Sequence, residues 1–140
     1  MKNKFRTTAA LIAASFFIIK ILVASDAVLA ASKDFQSVAQ GLVGLPYDEA
    51  RPIVLENSWQ PFENPAPGDL FFVARAMFEE GYLEVGACSP VGDAPCKFYF
   101  HGPAGRYLEV MTSGEIPHVT QAKVLTAEEF DEIRALMWGE

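Results

Sequence analysis

The amino-acid sequence predicts a small α+β domain that follows a compositionally distinct leader of thirty residues. Two observations predict this class. Apolar residues recur at helical spacing early in the domain and again at its end, whereas the stretch between them alternates in the manner of strands. We therefore expect two helices, then a three- or four-stranded antiparallel sheet, then a C-terminal helix, with 31–140 forming a single domain.

Residues 1–30 have the layout of a secretory signal peptide. Three basic residues open the segment: Lys2, Lys4 and Arg6. The stretch Thr7–Ala24 is almost wholly apolar, and Val28 and Ala30 are small residues at the positions that signal peptidase reads. Lys20 interrupts the apolar run, so an uncleaved anchor is the alternative, although the run is short for a membrane span. Cleavage after Ala30 predicts a periplasmic or secreted protein.

The composition is acidic, and it becomes more so without the leader. The whole chain has 11 Lys and Arg against 18 Asp and Glu, a net charge of −7. Residues 1–30 contain four of the cations and one acid, which leaves 7 against 17, or −10. Such a surface repels nucleic acid and anionic lipid, so we expect neither a nucleic-acid partner nor a membrane partner after cleavage. It attracts a basic partner, although acidity also serves solubility alone.

A short lead segment, 31–43, has helical spacing and precedes the two predicted helices. The first of these places Tyr47, Ala50 and Val54 on one face and ends at Asn57 in a left-handed conformation. Residues 60–68 contain three prolines and are predicted to be a loop.

The second helix is capped by Asp69 and stopped by Gly81. Its apolar residues extend almost all the way round, because Phe71, Phe72 and Phe78 widen the main stripe. A helix of this kind is either buried on several sides or in contact with a partner.

Strands follow Gly81. The segments 82–88, 96–101 and 106–111 alternate, and a fourth strand is expected over about His118 to Leu125. The turn Gly102-Pro-Ala-Gly105 predicts a type I turn with a positive φ at Gly105, in a hairpin that pairs Gly102 with Arg106. Phe98 then faces Val110, and Phe100 faces Leu108. If Cys88 and Cys96 lie directly opposite each other, Leu83 and Val85 fall on the Tyr99 face, so either that face is also partly covered or a bulge shifts the register.

Thr126-Ala-Glu-Glu129 is a capping box that starts the terminal helix. Two cysteines, Cys88 and Cys96, are predicted to form a disulfide, since an even count in an exported chain implies a bridge. A metal site is not expected, because the spacing is too wide for a two-cysteine knuckle and His101 would leave the set short of four ligands.

No catalytic or cofactor motif is present in the sequence. His101 and His118 are the two histidines, and no serine lies in a nucleophile-elbow context. We predict no cofactor and favour a non-catalytic binding or inhibitory module. The alternative is a small envelope hydrolase or wall-active enzyme with an unrecognised site.

The predicted binding surface is the sheet face that carries Tyr99, His101 and Tyr107. The hairpin register places these side chains together, opposite the face that holds the apolar core. An alternative interpretation is that the terminal helix covers this face.

Two stretches resemble a group of small exported bacterial proteins that have no assigned activity. They are Tyr47-x-x-Ala50-Arg51 with Trp59-Gln60-Pro61, and Cys88 with Cys96-x-Phe98-x-Phe100 and Gly105-x-x-Leu108-x-Val110-x-Thr112-x-Gly114-Glu115. Members often have Gly where this chain has Ser58 before the tryptophan.

Val43-Gly44-Leu45 with Glu49-Ala50 resembles the opening of PASTA domains, which bind wall peptides, although here a second helix follows instead of strands. The predicted order of elements with a cysteine pair is also similar in topology to half of a β-lactamase-inhibitory protein. These resemblances imply an envelope protein, an extracellular protein or a wall component as the partner.

Overall fold

A computed structural model describes residues 34–139, so the predicted signal peptide lies outside the described residues. The chain divides into the units Met1–Phe35 and Gln36–Glu140, and the second contains the α+β fold that the sequence predicts. The helices are α1 (34–42), α2 (Tyr47–Glu56), α3 (Phe72–Glu79) and α4 (Ala127–Trp138). The strands are β1 (Gln60–Pro61), β2 (Val85–Cys88), β3 (Cys96–His101), β4 (Tyr107–Ser113) and β5 (His118–Leu125).

The sheet is antiparallel and centred on β3. One edge of β3 pairs with β4, which pairs with β5, while β1 and β2 share the other edge. The predicted pairs Phe98 with Val110 and Phe100 with Leu108 are confirmed. The alternation of apolar residues and the length of the turn fix this register together, since a slip by one residue would move every side chain to the opposite face.

The hairpin turn confirms one expectation and corrects another. Gly102 donates its N–H to the Arg106 carbonyl oxygen at 2.7 Å, and Gly105 has a φ of 66°. Ala104 also has a positive φ, 55°, so the turn is not type I, which requires negative φ at both central positions.

Helices cover both faces of the sheet. On one face α2 buries Tyr47, whose ring stacks on Phe98 with the centroids 3.9 Å apart. On the other face α4 packs through Phe130, which stacks on Tyr107 at 3.9 Å. The capping box of α4 is confirmed, because the Thr126 hydroxyl accepts from Glu129 N–H while the Glu129 carboxylate accepts from Thr126 N–H.

Several predicted boundaries were wrong. Ser58 at φ 66°, and not Asn57, takes the left-handed conformation after α2. Asp69, the predicted cap of the second helix, instead ends a short 3₁₀ turn over Pro67–Asp69. The helix α3 begins only at Phe72 and has no side-chain cap.

The strand β2 starts at Val85, later than predicted, and a bulge separates Val85 from Ala87 in its pairing with β3. The bulge is the alternative that the sequence left open. It keeps Cys88 opposite Cys96 while Val85 stays opposite Phe98. Across residues 34–139, none of the helices is both long enough and apolar enough to cross a membrane.

Candidate functional site

The predicted face of Tyr99 is closed by α4. Tyr99 is fully buried, its ring lies 5.6 Å from that of Phe130, and its hydroxyl lies 3.4 Å from the Met137 sulfur. The same hydroxyl donates to Glu109 Oε2 at 2.9 Å. Burial, followed by the charge of Glu109, raises the pKa of Tyr99 well above its ordinary value. The expectation of an open face is therefore wrong, and the alternative of a covering terminal helix is confirmed.

The other two predicted residues differ from Tyr99 and from each other. Tyr107 is half-buried because Phe130 stacks on it, and Phe62 meets it edge-on at 6.2 Å. His101 is exposed at the end of β3. Of the three, His101 is therefore the only one that is exposed.

The predicted disulfide between Cys88 and Cys96 is confirmed, with an S–S distance of 2.05 Å. Ser89 N–H donates to the Pro95 carbonyl oxygen at 2.8 Å, which closes the loop beside it. Cys96 Sγ also lies 4.0 Å from Met77 Sδ, so the bridge touches α3 as well as joining β2 to β3.

Two side chains of types that enzymes commonly use, His118 and Ser113, contact backbone carbonyl oxygens. His118 Nδ1 lies 2.7 Å from the Ile116 carbonyl oxygen, and Ser113 Oγ lies 3.5 Å from the Asp93 carbonyl oxygen. Within the described part of the chain, no group of three His, Cys, Asp or Glu side chains is arranged to hold a metal ion.

A buried ion pair joins α2 to the start of β2. Glu84 is almost fully buried and accepts from the Tyr47 hydroxyl at 2.9 Å and from Arg51 Nη2 at 3.2 Å. Burial, followed by the nearby Glu84 charge, raises the pKa of Tyr47 well above its ordinary value. Arg51 also lies over the Tyr82 ring, 5.4 Å from its centroid. This cluster fixes the start of β2 against α2.

The largest exposed apolar residues cluster at the start of α3. Phe71 and Phe72 are 77% and 83% exposed, and Val73, which follows them, is exposed as well. Phe72 has a φ of 28°, a conformation that a bulky side chain rarely adopts. Backbone strain of this kind costs on the order of 1 to 3 kcal/mol and is concentrated at functional sites.

A groove of about 280 Å³ lies beside these residues. Loop 66–71, α3, β2 and the end of α4 contribute to its lining. Among the described residues that line it, every side chain is apolar except that of Asp69, and the lining also includes polar atoms; these residues are Ala66, Asp69, Leu70, Phe71, Ala74, Gly86, Ala87, Cys88, Met137 and Trp138. We call the groove together with Phe71, Phe72 and Val73 the Phe71 surface.

The loop in front of the Phe71 surface is held by polar side chains. The buried Asn64 amide donates to the Val85 carbonyl oxygen at 2.9 Å, and its Oδ1 accepts from Ala66 N–H at 2.8 Å. Arg75 Nε donates to the Leu70 carbonyl oxygen at 3.0 Å. Because the loop is fixed at both ends, the exposed phenylalanines are presented by an ordered backbone.

The sequence contained a signal for this surface. The apolar residues of the second predicted helix extended too far round it to be satisfied by one neighbour, and contact with a partner was one of two explanations. What pattern alone could not show is which of the phenylalanines stays exposed.

Comparison with protein-family models, with characterised proteins and with solved structures finds no match to this chain. We therefore infer the function from the geometry of the surface.

Proposed function

We propose that this protein is a non-catalytic binding module that engages another protein through the Phe71 surface. The observation that carries the proposal is the exposure of two consecutive phenylalanines beside an apolar groove. Contiguous apolar surface with a polar rim is typical of protein–protein contact sites. The proposed setting is the periplasm or the extracellular space, and the disulfide supports an oxidising compartment.

The two phenylalanines have the properties of binding anchors. Each exposes on the order of 150 Å² of aromatic surface, and burial against a partner removes that area from water. Phenylalanine loses little rotamer freedom when it is buried, since it has only two side-chain torsions. In interfaces a few such residues commonly contribute about 2 kcal/mol or more each.

The groove complements these anchors. It offers a partner a cavity of about 280 Å³ directly beside the exposed rings, so one contact engages both a projection and a recess. Gly86 allows the Tyr99 ring to pack closely against β2 next to the groove, because a Cβ atom there would lie 2.6 Å from Tyr99 Cε2. The packing of α4 on Tyr99, which closes the originally predicted face, brings Met137 and Trp138 into this second surface.

The proposal is tested by selecting displayed random peptides on the protein purified after expression of the full chain. The comparison proteins are the double variant Phe71→Ser/Phe72→Ser and the control Ile116→Ser. Ile116 is 68% exposed and lies outside the groove lining, so it matches the loss of an exposed apolar side chain elsewhere.

Peptides enriched on the wild type and on Ile116→Ser, and not on the double variant, would support the proposal. Equal enrichment on all three proteins, or no enrichment on the wild type, would refute it. Circular dichroism of each variant checks that the fold is retained.

A further inference from the structure

We infer that the partner presents a basic segment: one large apolar side chain that enters the groove, flanked by lysine or arginine. This inference rests on the proposed function, because it names the chemistry of the ligand for the same surface. It follows from the size of the groove, from the Asp69 carboxylate in its lining and from the ion pairs that engage most of the domain's own cations.

The groove has the size for one anchor side chain. Its volume of about 280 Å³ lies at or below the lower limit of pockets that enclose whole small ligands, which is about 300 Å³. Its lining includes the apolar side chains of Leu70, Ala74, Met137 and Trp138. A recess of this size and lining suits an apolar side chain presented by a longer chain.

Among the described residues that line the groove, Asp69 is the only charged one. It is exposed, and its backbone N–H donates to the Ala66 carbonyl oxygen at 3.0 Å, which fixes its position in the turn before the phenylalanines. A carboxylate at the rim of an apolar recess favours a ligand that carries a cation next to its apolar anchor.

The rest of the surface reinforces this preference. The described residues include six Lys and Arg against sixteen Asp and Glu. Four of the six cations are in ion pairs within the domain: Arg51 with Glu84, Lys97 with Glu109, Lys123 with Glu129 and Arg134 with Asp131. Arg75 is engaged by the carbonyl oxygens of Gly68 and Leu70. The excess carboxylates therefore set the sign of the surface potential, which steers basic segments toward it.

A second copy of this chain fits the Phe71 surface less well. In a two-fold dimer the same patch meets itself, so the two Asp69 carboxylates and two acidic surfaces would come together. This repulsion favours a different, basic chain as the occupant.

The test uses the peptides selected on the wild-type protein, read by sequence and then by affinity. We expect them to share a large apolar residue with Lys or Arg beside it. Replacing those basic residues by Glu in a synthetic peptide should weaken binding about tenfold or more, because repulsion replaces attraction. Asp69→Asn should weaken the binding of the parent peptide about threefold. Glu115 is an exposed carboxylate outside the groove, so Glu115→Gln should leave the binding of that peptide unchanged.

The outcomes separate the inference from the proposed function. Peptides that need Phe71 and Phe72 but carry no basic residues, or that bind Asp69→Asn as tightly as the wild type, would overturn the inference and leave the binding module intact. A failure to select any peptide that depends on Phe71 and Phe72 would refute the proposed function itself. Self-association of the protein, suppressed in Phe71→Ser/Phe72→Ser and measured by sedimentation, would assign the surface to a second copy and overturn the basic partner.

Discussion

Replacing Arg51 by methionine leaves the Glu84 carboxylate buried without its cation. In the native fold this carboxylate has almost no exposure and accepts hydrogen bonds from Arg51 and from the Tyr47 hydroxyl. After the substitution, the Tyr47 hydroxyl is the one donor that remains from this set. Removing one partner of a buried ion pair typically destabilises a protein by about 3 to 5 kcal/mol.

The structure places the expected loss at the low end of that range. The Arg51 side chain is 26% exposed, so water can reach part of the space that it leaves. We therefore expect Arg51→Met to lower the free energy of unfolding by about 3 kcal/mol. Adding Glu84→Gln should recover much of this loss, since a neutral amide still accepts from Tyr47 and needs no cation.

Urea unfolding of the variants measures these free energies, provided the m-value is unchanged. Lys123→Met is the control, because its pair with Glu129 is about half exposed on both sides, 50% and 45%, and should contribute less than about 1 kcal/mol. An Arg51→Met loss no larger than that of the control would refute the reasoning from burial.

Three further predictions concern packing, pH and backbone strain. Gly86→Ala should lower the free energy of unfolding by about 1 to 3 kcal/mol, because the new Cβ atom would meet the Tyr99 ring at 2.6 Å. Gly68→Ala is the control: its Cβ atom would have nothing within 4 Å, so the free energy of unfolding in urea should fall far less. The raised pKa values of Tyr47 and Tyr99 keep both phenols protonated in the folded state above pH 10, where the tyrosines of the unfolded chain ionise. The free energy of unfolding should therefore fall as pH rises above 10, by up to about 1.4 kcal/mol per pH unit for each of the two tyrosines. Tyr99→Phe should reduce that slope, and an unchanged slope in alkaline unfolding curves would contradict the assignment. Phe72→Gly should leave the free energy of unfolding, measured by thermal unfolding, unchanged or raise it by up to about 1 kcal/mol, since the Phe72 side chain is exposed and its φ is positive. A decrease of more than about 1 kcal/mol would show that the ring packs against the domain.

The parts of the fold that the sequence predicts well are those set by local chemistry. The turn at Gly102–Gly105 and the apolar alternation on either side give the β3–β4 register, and the capping box at Thr126 gives the start of α4. The short strand β1 was predicted as loop because two residues, one of them a proline, contain no periodic signal. Only its place on the edge of β3 makes it a strand.

The candidate site could not be located from the sequence for a different reason. Tyr99 and Tyr107 have polar tips, so their face looked suited to a ligand as much as to a covering helix. The face that α4 covers is determined by tertiary packing, through the contacts of Phe130 and Met137. Local pattern also leaves open whether Phe72 is buried or in contact with a partner, whereas the structure has it exposed and with an unusual φ at the start of α3.

The most direct test of the Phe71 surface is an NMR titration of the protein, expressed from the full chain, with a selected basic peptide. The account predicts that the largest shift changes occur at the backbone amides of Phe71, Phe72 and Gly86 and at the Trp138 indole, all of which lie in or beside the groove. Largest changes centred instead on His101, the exposed residue of the originally predicted face, would contradict it.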